Sequence, residues 1–293
     1  MLPQLLEDRT VLTPLDSADT LEKRAIRRWN IAIVSGLIFA VLIVVVVLLT
    51  LGRGCKSCDD EVEALKCFYP LGGGETAGSL IQPRLSSGLC QNAFFKYTSK
   101  KGGRYWQDIE MVVTSIRKTL LAKERSVLLP NESQMVIFDI DETVLSNLDI
   151  YKRMGFGHFV QEDFDEWVLS SEAPAIPGMP SLLHDIWKTG ASIGFITGRV
   201  EQLRNATAKN LKFAGFGEKC SESGTATTMC YEELILRGEG PHVDALTYKQ
   251  EARAELSKEF QIVSSTGDQW SDLLGAPRPS IIFKMPNPFY YLP

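Results

Sequence analysis

The sequence has few cysteines and no excess of positive charge. Of its 293 residues, 31 are Lys or Arg and 36 are Asp or Glu, so the net charge is −5 and the sequence pI is near 5.4. A chain without a basic surplus has no electrostatic basis for binding nucleic acid. Six cysteines are too few for a small disulfide scaffold. A hydrophobic content of 44% with 23% charged residues excludes a chain that is disordered throughout.

One long apolar run is present near the N-terminus. Residues 31–51 contain no charged side chain, and about 20 apolar residues are what a helix needs to cross a bilayer. A cleaved signal peptide would have a shorter apolar run with fewer residues before it, so we expect a retained transmembrane signal anchor at 31–51. Four basic residues lie close to the N-terminal side of the run: Lys23, Arg24, Arg27 and Arg28. The positive-inside rule then predicts a type II orientation, with residues 1–30 cytosolic and the rest lumenal or extracellular.

The cysteines and the glycosylation motifs agree with that orientation. All six cysteines follow the apolar run: Cys55, Cys58, Cys67, Cys90, Cys220 and Cys230. An even number in an oxidising compartment predicts disulfides. Cys55-Lys-Ser-Cys58 could also be half of a zinc site, but no second such motif completes it. Asn131 and Asn205 begin Asn-x-Ser/Thr motifs and are candidate glycosylation sites.

Beyond the anchor we predict a stalk and a domain. Residues 52–103 contain a Gly72-Gly73-Gly74 run with scattered Pro and Ser, which predicts an irregular, Cys-containing stalk. Residues 104–293 form the predicted domain. Apolar residues at helical spacing between 105 and 124 predict an amphipathic helix at its start.

From residue 135 onward, short apolar runs alternate with helical segments. The runs predict buried strands at 135–140, 192–196, 262–265 and 280–283, with helices at 180–188, 200–213 and 244–259. Strands that alternate with helices indicate an α/β fold with a mostly parallel, Rossmann-like sheet. Such sheets bind ligands at the carboxyl ends of their strands, which is where candidate site residues are expected.

The first predicted strand ends in two acidic residues, Asp139 and Asp141. Side chains alternate in a strand with period 2, so both carboxylates point the same way. Two negative charges this close are unfavourable unless a cation or a shared proton compensates them. A solvated acidic turn after a core strand is the alternative interpretation.

Three further segments carry polar groups at predicted strand ends or helix starts. Thr197-Gly198-Arg199 ends the second strand and suits phosphate binding, although a plain helix cap is the simpler explanation. Lys249 lies near a helix start, where a solvated lysine is the default. Asp268 and Asp272 follow the third strand and could share one hard cation or merely cap the next helix.

Together the motifs are specific, and their order resembles that of the haloacid dehalogenase (HAD) superfamily. Longer strings are similar to those of the plant-type subfamily IIIB acid phosphatases, a group that includes the vegetative storage proteins. These strings are Phe138-Asp-Ile-Asp-Glu-Thr143, Glu172-Ala-Pro-Ala-Ile-Pro177, Gly267-Asp-Gln-Trp-Ser-Asp272 and the segment 283–293. The resemblance covers roughly residues 90–293 and implies a Rossmann-like HAD core with a small helical cap.

The resemblance implies a catalytic role for each matching residue. Asp139 is the nucleophile that forms an aspartyl-phosphate, and Asp141 is the general acid for the leaving group and then the base for water. Thr197, Gly198 and Lys249 hold the phosphoryl oxygens. Because the general acid must be protonated in the first step, an acidic optimum is expected.

The resemblance also implies a Mg²⁺ site. Its ligands are the Asp139 carboxylate, the main-chain carbonyl of Asp141, and Asp268, with Asp272 close by. A carboxylate that attacks an anionic phosphate needs its charge offset, which Mg²⁺ and a lysine supply.

Two segments depart from the family pattern or bear on the substrate. Residues 217–231 look like an insertion, and we hypothesise that a Cys220–Cys230 disulfide closes it. Aromatic side chains in the segment 146–191 could form a cap over the phosphate site or simply pack a helix against the core. They are Tyr151, Phe156, Phe159, Phe164 and Trp167, with His158 among them.

Two classes of function remain. The first is a membrane-anchored, Mg²⁺-dependent phosphomonoesterase that acts on small phosphate esters; the second is a storage or binding protein on the same fold. With three histidines and no Arg-His-Gly string, a histidine phosphatase is disfavoured. A phosphotransferase that uses the same intermediate, and a homodimeric assembly, are left open.

Overall fold

A five-stranded sheet organises the domain. The computed structural model describes residues 23, 27–31, 33–43, 91–99, 103–122, 127–129, 133–156, 159–222, 228–238 and 243–290. The strands in these residues are β1 (Gln134–Phe138), β2 (Ser192–Val200), β3 (Glu218–Lys219), β4 (Cys230–Tyr231), β5 (Glu233–Arg237), β6 (Gln261–Gly267) and β7 (Ile281–Lys284). The helices of the domain are α1 (Gln91–Tyr97), α2 (Arg104–Leu120), α3 (Leu148–Arg153), α4 (Gln161–Ser170), α5 (Met179–Trp187), α6 (Arg204–Phe213) and α7 (Ala245–Leu256). Short 3₁₀ turns occur at Glu201–Leu203 and Trp270–Asp272.

The strand order in the sheet is β5-β2-β1-β6-β7, and every neighbouring pair is parallel. β1 lies in the centre, where Phe138 pairs with Phe195 of β2 and with Thr266 of β6. The predicted α/β class with a parallel sheet is therefore confirmed. Because parallel strands all end at the same edge, the polar residues that follow β1, β2 and β6 are brought together there.

Apolar side chains cover both faces of the sheet. On β1, Val136 and Phe138 belong to the larger core cluster, whereas Met135 and Ile137 belong to a second cluster with Ala252 and Leu256 of α7. Alternate strand residues point to opposite faces, so a strand covered on both faces reads as a continuous apolar run. This explains why the central strand was predictable from hydropathy alone.

The amphipathic helix predicted over 105–124 is present as α2. It buries Tyr105, Ile109, Val113, Ile116 and Leu120 on one face. The preceding helix α1 lies within the segment for which an irregular stalk is predicted. Its Phe94 is buried and stacks on Phe156 with ring centroids 5.3 Å apart, so this apolar side chain holds α1 in the core.

Hydropathy did not predict helices α3 and α4 or strands β3, β4 and β5. Helix α4 is largely polar and buries only Trp167 and Val168, which is too short an apolar pattern to indicate a helix. Strands β3 and β4 form a separate parallel pair in the insertion. The hypothesised Cys220–Cys230 disulfide is present there, with an S–S distance of 2.15 Å.

The chain divides into two compact units, residues 1–61 and 62–293. In the first unit, residues 27–31 and 33–43 are helical. No helix within the described residues has both the length and the hydropathy that a bilayer crossing requires. Several predictions concern positions outside the described residues: anchor positions 32 and 44–51, the stalk up to residue 90, Cys55, Cys58, Cys67, Cys90, Asn131 and His158.

Candidate active site

The carboxyl edge of the sheet carries the predicted site residues. Asp139 follows β1 directly, and its backbone N–H donates to the carbonyl of Thr266 on β6 at 2.9 Å. Thr197 lies in the last part of β2, and Asp268 follows β6. Adjacent parallel strands thus place these three residues side by side.

Lys249 of α7 lies within this acidic group. Its Nζ is 2.6 Å from Asp139 Oδ1 and 2.5 Å from Asp272 Oδ1, and it donates to the carbonyl of Ile196 at 3.0 Å. Only 6% of the Lys249 side chain is exposed. The default expectation of a solvated lysine is therefore wrong for this residue, because α7 packs on a face of the sheet and the side chain of Lys249 is covered by that contact.

Three buried carboxylates form a candidate metal centre. Oxygen atoms of Asp139, Asp268 and Asp272 lie within 4.8 Å of one another. One ammonium group, that of Lys249, contacts two of them, so the three carboxylates, when ionised, carry more negative charge than Lys249 offsets. Hard divalent cations such as Mg²⁺ prefer carboxylate oxygens, and the donor set therefore fits such an ion.

Burial and mutual repulsion shift the protonation of these groups. Burial raises the pKa of Asp139 well above its usual range; attraction by Lys249 opposes this, while Asp272 and Asp268 add to it. Burial, with repulsion from Asp272, raises the pKa of Asp268 to about 6. Burial works against the charge of Lys249, but Asp139 and Asp272 outweigh it and raise the lysine pKa. An additional cation at this place would favour the ionised carboxylates.

The loop that carries Asp272 is held tightly. The carbonyl of Asp272 accepts hydrogen bonds from Ser265 Oγ at 2.8 Å and from Arg253 Nη1 at 3.1 Å. Asp272 Oδ2 accepts from the backbone N–H of Gln269 at 2.9 Å. A Cβ atom on Gly267 would lie 2.2 Å from the Cβ of Asp272, so only glycine permits this approach.

Asp141 does not join the acidic cluster with its side chain. Its carboxylate is held by Arg199, whose Nη2 donates to Oδ1 at 2.7 Å and whose Nε donates to both oxygens at 3.1 Å. The side chain of Arg199 is 1% exposed. Burial works against the charge of Arg199, but Asp141 outweighs it and raises the pKa of the guanidinium. The sequence located Arg199 only as the third residue of its motif and assigned it no role.

Thr197 and Gly198 lie beside these groups. The Thr197 side chain is fully buried, and its Oγ1 accepts a hydrogen bond from the backbone N–H of Arg199 at 3.2 Å. Gly198 is exposed, and a Cβ atom there would meet nothing within 4 Å.

Glu142 is a further buried carboxylate at this edge that sequence reasoning did not select. It has a left-handed backbone, with φ 52°, and no exposed surface. Tyr151 and Tyr290 donate their hydroxyls to Oε2 at 3.2 and 3.1 Å, and the backbone N–H of Asn147 donates to Oε1 at 2.7 Å. Burial, with repulsion from Asp141, raises the Glu142 pKa to about 8.

The aromatic side chains between the first two motifs have different positions. Tyr151 and Phe156 are buried and pack on Phe289, with ring centroids 5.5 and 5.8 Å apart. Phe159 and Phe164 contact one another at 5.6 Å and are partly buried. For Tyr151 and Phe156, packing against the core is therefore the correct interpretation, and a cap over the phosphate site is not.

The whole domain matches one family model, described as HAD superfamily, subfamily IIIB (Acid phosphatase), over residues 84–293. The chain belongs to this family. The resemblance inferred from the motifs is thereby confirmed. Phosphatases of the HAD superfamily generally use a divalent metal, in agreement with the cluster of three buried carboxylates.

Curated relatives of this acid phosphatase family include proteins of two kinds. "Acid phosphatase 1" of Solanum lycopersicum is 42% identical over 160 residues, which cover 53% of this chain and 58% of that protein. "Vegetative storage protein 2" of Arabidopsis thaliana is 32% identical over 161 residues, 54% of this chain and 56% of that protein. The chain therefore spans little more than half the length of these relatives.

A solved structure supports the fold. The class C acid phosphatase from Bacillus anthracis superposes with a TM-score of 0.51 at 23% sequence identity, covering 70% of this chain and 85% of that one. At this level of identity the likeness shows a common HAD fold.

Proposed function

We propose that this protein is a membrane-anchored, Mg²⁺-dependent acid phosphatase that hydrolyses small phosphate monoesters through an aspartyl-phosphate. The observation that carries the proposal is the position of Lys249 between Asp139 and Asp272. It supplies a buried cation at a carboxylate cluster that fits a metal ion. A nucleophile, a phosphate-binding cation and metal ligands thus share one edge of the sheet.

In the first step, an oxygen of Asp139 attacks the phosphorus atom and the bond from phosphorus to the ester oxygen breaks. Asp141 donates its proton to that oxygen, which leaves as an alcohol. Lys249, the hydroxyl of Thr197 and the backbone N–H of Gly198 hold the phosphoryl oxygens as negative charge develops.

In the second step, water attacks the phosphorus atom of the aspartyl-phosphate. Asp141 accepts a proton from the water, and the bond between phosphorus and Asp139 breaks. Phosphate is released and both carboxyl groups return to their initial state. Dividing one hydrolysis into two displacements lowers each barrier.

The carboxylates of Asp139 and Asp268 and the main-chain carbonyl of Asp141 would hold Mg²⁺, with Asp272 close by. Bound Mg²⁺ would offset the negative charge of the nucleophile and of the transferred phosphoryl group. The buried, repelling carboxylates support this assignment, because their excess charge favours a hard cation.

The test is hydrolysis of p-nitrophenyl phosphate by the purified full-length chain in detergent, with Mg²⁺ or with EDTA, between pH 4 and 9. We expect Mg²⁺-dependent turnover with an acidic optimum that Asp139→Asn abolishes. Asp149→Asn, a substitution at an exposed residue of α3, is the matched control and should retain activity. A rate that climbs above neutrality, or turnover that survives Asp139→Asn, would contradict the proposal.

A storage or binding role is the second candidate, because the chain is 32% identical to a vegetative storage protein over its matched region. It predicts a folded chain without turnover under all of these conditions. Since Asp139, Asp141, Lys249 and Asp268 are all in place at one edge, we favour the enzyme.

We also propose that residues 31–51 anchor the chain in an endomembrane or plasma membrane in type II orientation. Large apolar side chains of the helical residues 31 and 33–43 are exposed, among them Leu37 and Phe39 at 63% and 66%. The Cys220–Cys230 disulfide agrees with an oxidising compartment. Alkaline carbonate extraction and protease protection of microsomes test the anchor and its orientation. Loss of a glycosidase-sensitive mass shift in Asn205→Gln would test exposure to the lumen.

A further inference from the structure

The side-chain amide of Asn147 lies between two carboxylates. Its Nδ2 donates to Asp141 Oδ1 at 2.8 Å and to Glu142 Oε2 at 3.2 Å. Asn147 is fully buried, and its backbone N–H also donates to Glu142. Both N–H groups of the amide are therefore directed to acceptors that carry negative charge when ionised.

The opposite end of the amide is fixed by Trp167 of helix α4. Trp167 Nε1 donates to Asn147 Oδ1 at 2.8 Å. An indole N–H can only donate a hydrogen bond, so the amide must present its oxygen, and not its NH₂ group, to Trp167. If the amide turned over, its oxygen would face the carboxylate of Asp141 and its NH₂ would face the indole N–H, which is unfavourable at both ends.

Trp167 is itself held firmly. It is 7% exposed, and the guanidinium of Arg153 lies 4.8 Å from the centroid of its ring. Glu142, on the other side of Asn147, is held by the hydroxyls of Tyr151 and Tyr290. The amide thus has rigid partners on both sides.

These contacts distinguish the two oxygens of Asp141. Oδ1 accepts from Asn147 and from two nitrogens of Arg199. Among the described residues, Oδ2 accepts a single hydrogen bond, from Arg199 Nε at 3.1 Å, which Oδ1 shares. Oδ1 is therefore the oxygen that is anchored by several hydrogen bonds, and Oδ2 is the oxygen that can still carry or exchange a proton.

We propose that Asn147, oriented by Trp167, is a positioning residue that anchors Asp141 through Oδ1 and leaves Oδ2 for proton transfer to the leaving group. This inference rests on the proposed function, in which Asp141 is the general acid. It gives helix α4 a part in the chemistry, since the indole of that helix determines the orientation of the amide.

The test compares two substrates that need the general acid to different extents. The p-nitrophenolate group leaves with little help, whereas the alkoxide of β-glycerophosphate must be protonated as it leaves. In the full-length chain, Trp167→Phe keeps the ring and removes the N–H. We expect kcat/KM to fall at least about 10-fold more for β-glycerophosphate than for p-nitrophenyl phosphate. This is part of the roughly 10²- to 10⁴-fold that a general acid contributes, because Asp141 itself is retained.

Trp106→Phe is the matched control, because it removes another indole hydrogen bond, that of Trp106 Nε1 to the carbonyl of Thr98. It should leave the ratio of the two kcat/KM values unchanged. Asn147→Ala should change this ratio at least as much as Trp167→Phe, and the double variant should match Asn147→Ala alone, because Trp167 acts through Asn147. Should Trp167→Phe not fold, the ratio measured for Asn147→Ala decides the question.

An equal loss for both substrates, or no loss, in folded variants of an active wild type would overturn the inference and leave the proposed function standing. A wild type that turns over neither substrate would instead overturn the proposed function, and the inference with it.

Discussion

Lys249 Nζ lies 2.6 Å from Asp139 Oδ1, although 110 positions separate the two residues in the chain. The contact joins a helix on one face of the sheet to the end of the central strand. It places a buried ammonium group against a carboxylate, the proposed nucleophile, whose pKa burial raises. The proposed chemistry depends on this pair, and the first prediction concerns it.

Lys249→Met should reduce turnover about 10²- to 10³-fold, because a cation that stabilises transition-state charge is lost. It also leaves Asp139 and Asp272 without their ammonium partner, so the melting temperature should fall more in EDTA than in Mg²⁺. Lys258→Met, at an exposed lysine beyond the end of α7, is the control for both measurements. Turnover within twofold of wild type would contradict the assignment of Lys249.

Gly267→Ala should displace Asp272, because the added Cβ would lie 2.2 Å from the Asp272 Cβ and 2.3 Å from its Oδ2. We expect Mg²⁺ affinity, measured by calorimetric titration, to fall about 10- to 100-fold, the range found when groups that orient metal ligands are disturbed. The unfolding free energy should fall by about 1–3 kcal/mol. Gly238→Ala is the control, since a Cβ atom there meets nothing within 4 Å. Unchanged Mg²⁺ affinity would show that Asp272 does not contribute to the site.

Glu142 should make the stability of the metal-free chain depend on pH. Its pKa is about 8 in the folded state, above the value near 4.3 expected for an unfolded chain. The folded state therefore binds the proton of Glu142 more tightly than the unfolded state does, and protonation stabilises the folded chain. This contribution to the unfolding free energy is complete below about pH 4.3 and is lost as pH rises through about 8.

The corresponding measurement is urea unfolding at several pH values, for wild type and for Glu142→Gln, which resembles the protonated acid. The difference in unfolding free energy between the two should change by on the order of 1 kcal/mol per pH unit between about 4.3 and 8, and then level off. Glu251→Gln, on the exposed side of α7, should follow wild type. A difference that is constant with pH would mean that Glu142 is ionised in the folded chain throughout.

Replacing both Cys220 and Cys230 by serine should lower the unfolding free energy by up to about 3 kcal/mol, because their disulfide closes a short loop of sequence separation 10. Neither cysteine contacts the acidic cluster, so kcat for p-nitrophenyl phosphate should not change. Peptide mapping without reduction checks the pairing directly, and free thiols at these positions would disprove it.

The amino-acid sequence by itself determined four of the five strands of the main sheet and the polar groups at their ends. Apolar runs bounded by polar residues predicted β1, β2, β6 and β7. The clearest case is β1, because this central strand is buried at every position and is almost wholly apolar. The acids that follow β1 and β6 were evident for the same reason, since a charge directly after such a run marks the end of a buried strand. Motif order along the chain then indicated the family that the comparison confirmed.

The pattern of apolar residues predicts an element less clearly where that element is only partly buried. The edge strand β5 alternates buried and half-buried residues over only five positions. Helix α4 is mostly polar, and its two buried residues give little periodicity. Such elements form because a neighbouring helix or strand packs against them, and their own few residues do not indicate which element that will be.

Only the tertiary structure decided which side chains meet. Arg199 binds Asp141 across 58 positions of the chain, and Tyr290 reaches Glu142 across 148. Such pairs depend on strand order, on register and on how helices pack, none of which is a property of a local segment. The local segment around Lys249 did not predict its burial for the same reason, since a lysine near a helix start is solvated unless another element covers it; only the family resemblance had assigned Lys249 to the site. Hydrophobic periodicity thus specifies where a chain is buried, while long-range packing specifies what each buried polar group contacts.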